Sequence, residues 1–107
     1  MNKYESIVII KPKLSEDDRS RIIEKFKKIM ENFSDKEIGI EEIGEKKLAY
    51  EIQKNRTGYY VLFNFYAKPD NIQELERNYR IDDNIMKFIV VRLEEREFED
   101  NEEEEDL

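Results

Sequence analysis

Between Gly44 and Tyr60 the chain reads GEKKLAYEIQKNRTGYY, in which four cations, Lys46, Lys47, Lys54 and Arg56, are interleaved with Tyr50, Tyr59 and Tyr60. Cations on an exposed segment release counterions from phosphates, and aromatic rings offer faces on which bases stack. The combination is therefore that of a polyanion contact. Arg80, Asn84 and Lys87 add two cations and an amide further along, and Lys3 and Arg92 stand near the two ends of the apolar-patterned part. Other chemistries lack their parts. There is no cysteine and no histidine, which excludes disulfides, thiolate nucleophiles, Cys/His zinc centres and histidine catalysis. No glycine-rich phosphate loop, GxSxG elbow or metal-ligand cluster occurs in the sequence. Carboxylates are plentiful but fall at helix starts and in a terminal run, as solvated charge. The expectation is a non-enzyme without cofactor, metal or small-molecule substrate.

A formal charge of −8 would repel a polyanion were it spread evenly, but it is not evenly divided along the chain. Residues 1–93 hold 18 Lys/Arg against 17 Asp/Glu, a balance of +1; residues 94–107, EEREFEDNEEEEDL, hold one cation against ten acids, a balance of −9. The body is neutral and the acid is packed at the C-terminus. With only Phe98 and Leu107 apolar, the terminal run cannot offset its ordering entropy, so it is expected to be a disordered acidic tail. One domain over 1–93 remains, and 107 residues suffice for one two-layer core. No apolar run reaches the length of a membrane span and the N-terminus lacks a signal-peptide pattern, so the expected location is cytoplasmic, with no membrane partner.

The elements that must position these residues follow from periodicity. Residues 3–11, KYESIVIIK, are rich in β-branched side chains and stop at Pro12, a strand. Ser15 followed by Glu16, Asp17 and Asp18 caps a helix over 16–33, with Ile22, Phe26, Ile29, Met30 and Phe33 on one face. Residues 36–53 predict one long strand bent near Gly44, with a hairpin tip at 54–58 in which Gly58 takes the positive φ. YYVLFNFYA at 59–67 predicts a strand; Asp70 with Gln73 predicts the start of a second helix after Pro69; IMKFIVVRL at 85–93 predicts the last strand. Right-handed crossovers fold the order βαββαβ into a four-stranded antiparallel sheet, 4-1-3-2, with both helices on one face: an α+β, ferredoxin-like domain.

In that architecture one sheet face is open, yet the runs IVII (7–10) and FIVV (88–91) do not alternate. Apolar residues on an open face are either ordinary exposure or a surface for a partner. Enzymes and RNA readers that share the topology fit poorly. KPKLS after the first strand has no glycine for an acylphosphatase-type anion loop. TGYYVLFN meets the RNA-recognition-module signature at Gly58 and Tyr59 but departs at its first, fourth, fifth and eighth places, and Tyr59, Phe63 and Phe65 share a strand face suited to the core.

EEIGEKKLAYEIQKNRTGYY resembles the segment typical of the bacterial small-ribosomal-subunit protein six family: Glu-Glu, a hydrophobic residue, Gly, a basic pair, Leu-Ala-Tyr, Ile, Lys, then Gly-Tyr. Tyr4-Glu5, Pro12 with Leu14, and YRIDDNIMKFIVVR at 79–92 fit in order and spacing, so the resemblance covers about residues 3–93. Glu51 stands where many members have proline, and Asp82 where a basic residue is common, which thins the positive charge there. The resemblance implies a structural protein of the small ribosomal subunit that binds the central domain of small-subunit ribosomal RNA together with small-subunit ribosomal protein eighteen. It also supplies a candidate partner for the open face.

From topology alone, Lys11, Lys13, Lys54, Arg56, Arg80, Asn84 and Lys87 are expected to gather at one end of the molecule. Lys46 and Lys47 are expected mid-strand, and Lys3 and Arg92 at the other end. The alternative reading is a ferredoxin-like interaction or ligand-sensing domain whose open face dimerises.

Overall fold

The computed structural model describes residues 1–93; the acidic run 94–107, expected to be a disordered tail, lies outside the described residues. The elements are β1 (Asn2–Ile10), α1 (Glu16–Phe33), β2 (Gly39–Ile52), β3 (Asn55–Ala67), α2 (Pro69–Ile81) and β4 (Ile85–Leu93). The sheet order is β2-β3-β1-β4 with every neighbouring pair antiparallel, the expected 4-1-3-2 order read from the other edge. Period-two alternation sorts β1 and β3 into two faces. Val8, Ile10, Val61, Phe63 and Phe65 are buried with Ile22, Phe26 and Met30 of α1 and Leu75 and Tyr79 of α2 in one core. Ile7, Ile89 and Val91 are left on the open face, the last two 50% and 46% exposed.

Local signals account for the element boundaries. Ser15 Oγ accepts the Asp18 N–H at 3.1 Å, the expected cap of α1, with three acids in the first turn. For α2 the expected Asp70–Gln73 box is not formed. Pro69 opens the helix after Lys68, whose N–H donates to Asn71 Oδ1 at 2.9 Å while the Asn71 N–H returns to the Lys68 carbonyl at 2.9 Å. Asp70 contributes only its charge to the first turn.

The expected bend near Gly44 is present. The β2–β3 register shifts between Glu42 and Gly44, and Gly44 has φ +106°. The expected tip at 54–58 is displaced. The turn residues are Gln53 and Lys54, with φ +49° and +66°, and β3 already begins at Asn55. Two successive positive φ values give the two-residue hairpin turn whose twist matches the strands, here without glycine.

Gly58 is instead buried inside β3 for reasons of space. A Cβ there would stand 2.4 Å from Ile9 Cγ2 and 2.9 Å from Met86 Cε. The Met86 terminus can swing aside, but Ile9 is buried and β-branched. Gly58→Ala is expected to cost about 1–3 kcal/mol by overpacking. In an Ile9→Ala background, which lacks the clashing methyl, the same substitution is expected to cost clearly less. Urea unfolding of the four chains checks this, and equal penalties in both backgrounds would refute the steric account.

Candidate nucleic-acid interface

The registers define the end at which the cations meet. Ile10, the last residue of β1, is opposite Tyr59 near the start of β3 and Ile85 at the start of β4. The Lys11 N–H donates to the Asn84 carbonyl at 2.9 Å, tying the loop after β1 to the loop before β4. Lys54 sits in the turn, Arg56 in the first residues of β3, Lys87 in β4 opposite Ile9, and Arg80 in the last turn of α2. Lys46 and Lys47 pair with Gly58 and Thr57. Although central in β2, they lie level with the end of β1 because β2 runs on past it, so they belong to this same end.

Lys3 and Arg92 do not. Lys3 is opposite Leu93 and Arg92 opposite Tyr4, and Arg92 Nη2 donates to Asn2 Oδ1 at 3.1 Å. At about 3.3 Å per residue, the length of β1 from Lys3 to Ile10 separates them from the basic end by about 23 Å.

The gathered cations are available for a ligand. Among the described residues, ion pairs engage Arg21, Lys25 and Arg80 and leave Lys46, Lys47, Lys54 and Arg56 unpaired. All four are exposed. The contact of Arg80 with Glu76, one helical turn back, is long at 3.9 Å and exposed, so it offers little competition to a phosphate. Asp82, the acid at a position expected to thin the positive charge, is neutralised locally. Its Oδ2 accepts Lys25 Nζ at 3.0 Å and its Oδ1 accepts the Asn84 N–H at 2.9 Å. Asp82 thus shapes the loop that presents Asn84.

Sequence reasoning did not anticipate the curl of the β2–β3 hairpin. Pairing proceeds to Lys47↔Thr57 and resumes only at Ile52↔Asn55, so residues 48–51 form an outward excursion of β2. Leu48, 7% exposed, closes over Gly58, and Asn55 Nδ2 donates to Met86 Sδ at 3.4 Å. The arm therefore bends across β1 towards β4. At its crest Tyr50 Oη accepts Lys87 Nζ at 2.8 Å, linking residues of the two opposite edge strands. This hydrogen bond is the main cause holding the Lys87 ammonium pKa above its ordinary value. Beside it, Ile7, Ile9, Tyr60, Lys87, Phe88 and Ile89 line a shallow apolar depression of about 230 Å³ on the open face.

Tyr59 and Phe63 are accounted for by the fold. Phe63 is buried, and Tyr59 lies under the Arg19 guanidinium at 4.1 Å while its hydroxyl donates to Glu42 Oε1 at 2.8 Å. Burial, then Glu42, raises the Tyr59 phenol's pKa. Neither of these two side chains is therefore free to serve as a stacking platform of the RNA-recognition-module kind.

A βαββαβ sheet domain with unpaired, exposed cations gathered at one end is an architecture suited to binding a polyanion. Comparison with known proteins narrows the class. The sequence model of the family described as Ribosomal protein S6 matches residues 3–92. The small ribosomal subunit protein bS6 of Caldanaerobacter subterraneus subsp. tengcongensis is 40% identical over 95 residues, covering 89% of this chain and 100% of the relative. That of Clostridium novyi is 44% identical over 94 residues, covering 88% and 99%. The crystal structure of 30S ribosomal protein S6 from Thermotoga maritima superposes with a TM-score of 0.83 at 34% identity, over 99% of this chain and 98% of that one. The chain belongs to the ribosomal protein S6 family, as a structural, non-enzymatic constituent of the small subunit of the cytoplasmic ribosome.

Proposed function

We propose that this protein binds small-subunit ribosomal RNA through its basic end, and does so together with small-subunit ribosomal protein eighteen, which covers the open sheet face. The observation that carries this reading is the gathering of Lys46, Lys47, Lys54, Arg56 and Lys87 at one end, beside an apolar face that exposes Ile89 and Val91. Arginine forks onto phosphate oxygens and lysine supplies a point charge, so such an end suits backbone and shape recognition.

With a body of nearly zero net charge, long-range attraction to RNA is small and the contacts must be completed by a second chain. The open face provides the coupling. A partner that buries it also brings its own cations alongside the RNA. Titration of a central-domain junction RNA with and without protein eighteen is expected to show tighter binding in its presence by roughly 5–150-fold, the usual range of coupling between two ligands. Equal affinities would overturn the joint-binding reading. The competing possibility, a face that dimerises, predicts a concentration-dependent mass of the isolated chain in sedimentation and no dependence on protein eighteen.

A further inference from the structure

Tyr50 is 61% exposed, although it lies in a hairpin whose neighbouring Leu48 is buried. Its ring is nevertheless held. Lys87 Nζ lies 2.8 Å from the hydroxyl and 5.3 Å from the ring centroid. The second distance is close to the first plus the phenol's own reach from ring centre to oxygen. The ammonium therefore sits at the tip of the ring and not over its face, so the contact is a hydrogen bond more than a cation–π pair. No other described ring, guanidinium or ammonium is stacked on Tyr50. The result is an oriented aromatic surface with open faces, on an arm that also carries Lys46, Lys47, Lys54 and Arg56.

We propose that Tyr50 is a stacking platform for one unpaired base of the bound RNA, with Lys87 fixing the ring at its tip and the cations of the arm meeting the adjoining phosphates. This rests on the RNA-binding reading and specifies the ligand class: a nucleotide splayed out of a loop, bulge or junction, since a base within a continuous duplex has no free face to offer. The charges around the ring favour a nucleotide over a protein side chain. A tyrosine serving a protein contact is most effective at the dry centre of an interface depleted in charge, whereas this ring holds the Lys87 ammonium at its hydroxyl and lies on a hairpin that carries Lys46, Lys47, Lys54 and Arg56. Hydrogen bonding to Lys87 also limits the ring's rotamers before the ligand arrives, so less side-chain freedom is lost on binding.

The test uses the full chain, a junction RNA with 2-aminopurine placed in turn at each unpaired position, and a continuous duplex of the same length. Tyr50→Ala is expected to lower junction affinity by roughly 5–150-fold, the span of one lost base–aromatic stack. It should leave duplex affinity and the salt slope unchanged and abolish the quenching seen at one 2-aminopurine position. Tyr50→Phe keeps the stacking face and is expected to stay within a few-fold of the parent chain. Unchanged junction affinity in Tyr50→Ala, or equal loss on junction and duplex, would overturn the proposal. Loss confined to the complex with protein eighteen would also overturn it, by making Tyr50 a protein contact. Failure of the parent chain to bind either RNA at all, with or without protein eighteen, would instead remove the RNA-binding reading on which the proposal stands.

Discussion

Tyr79→Ala is expected to destabilise the chain by about 3–5 kcal/mol, the range for truncating a large buried aromatic, out of a total of about 5–15 kcal/mol for a native domain. Tyr79 is fully buried where both helices meet the sheet, with ring centroids 4.7 Å from Phe26 of α1 and 5.0 Å from Phe88 of β4. Its hydroxyl is 2.9 Å from Ser6 Oγ, the one buried polar side chain among the described residues. Tyr79→Phe keeps the packing but strands that oxygen, at about 1–3 kcal/mol. Adding Ser6→Ala should recover most of this loss. Denaturant unfolding of the three variants checks the order, and a double variant as weak as Tyr79→Phe would show that the hydrogen bond is not the cause.

The same tyrosine predicts an alkaline limit. Burial drives its phenol far above the ordinary value, outweighing the lowering by the Ser6 hydrogen bond. With the folded pKa raised above the unfolded value of about 10, the contribution is fully present below about pH 10 and is lost as pH rises beyond it. Tyr79→Phe should flatten the fall of stability above that pH.

The second large effect concerns affinity. The combined substitution of Lys46, Lys47, Lys54 and Arg56 by Ala is expected to weaken RNA binding by roughly a thousandfold at 0.1 M salt if all four meet phosphates, and to reduce the salt slope by about one for each that does. These side chains are exposed and unpaired among the described residues, so each substitution should change stability by no more than about 0.5 kcal/mol. Titrations from low to high salt, with thermal melts of the same chains, separate the two quantities. An unchanged slope would remove the hairpin arm from the RNA contact and leave Arg80, Lys87, Lys3 and Arg92 as the cations to test.

The strands and helices were legible because burial imposes its period on the side chains: Ile22, Phe26, Ile29, Met30 and Phe33 in α1, alternating residues in β3. The hairpin tip was not legible. Glycine marks either a positive φ or a lack of room, and sequence does not distinguish them. Gly58 serves the second need, while Gln53 and Lys54 take the left-handed backbone. The start of β2 was placed too early because Ile38, 6% exposed, is a core residue before pairing begins at Gly39. In the candidate site, topology alone placed Arg80, Asn84 and Lys87 towards the end of the molecule that carries the hairpin. It could not place Tyr50 against Lys87, since their contact depends on an excursion of β2 that carries no local signal.

The two margins of the sheet differ in how readily they would accept another strand. The outer strand β2 is long, but it bulges twice and is lined by exposed Glu41, Glu42, Glu45, Lys46 and Lys47. Charges and bulges of this kind blunt an edge against pairing with foreign backbone. Along β4 the exposed residues include Ile89 and Val91, and the strand runs beside an apolar face. With one register shift against the two of β2, the β4 margin is the less protected of the two against pairing with another strand.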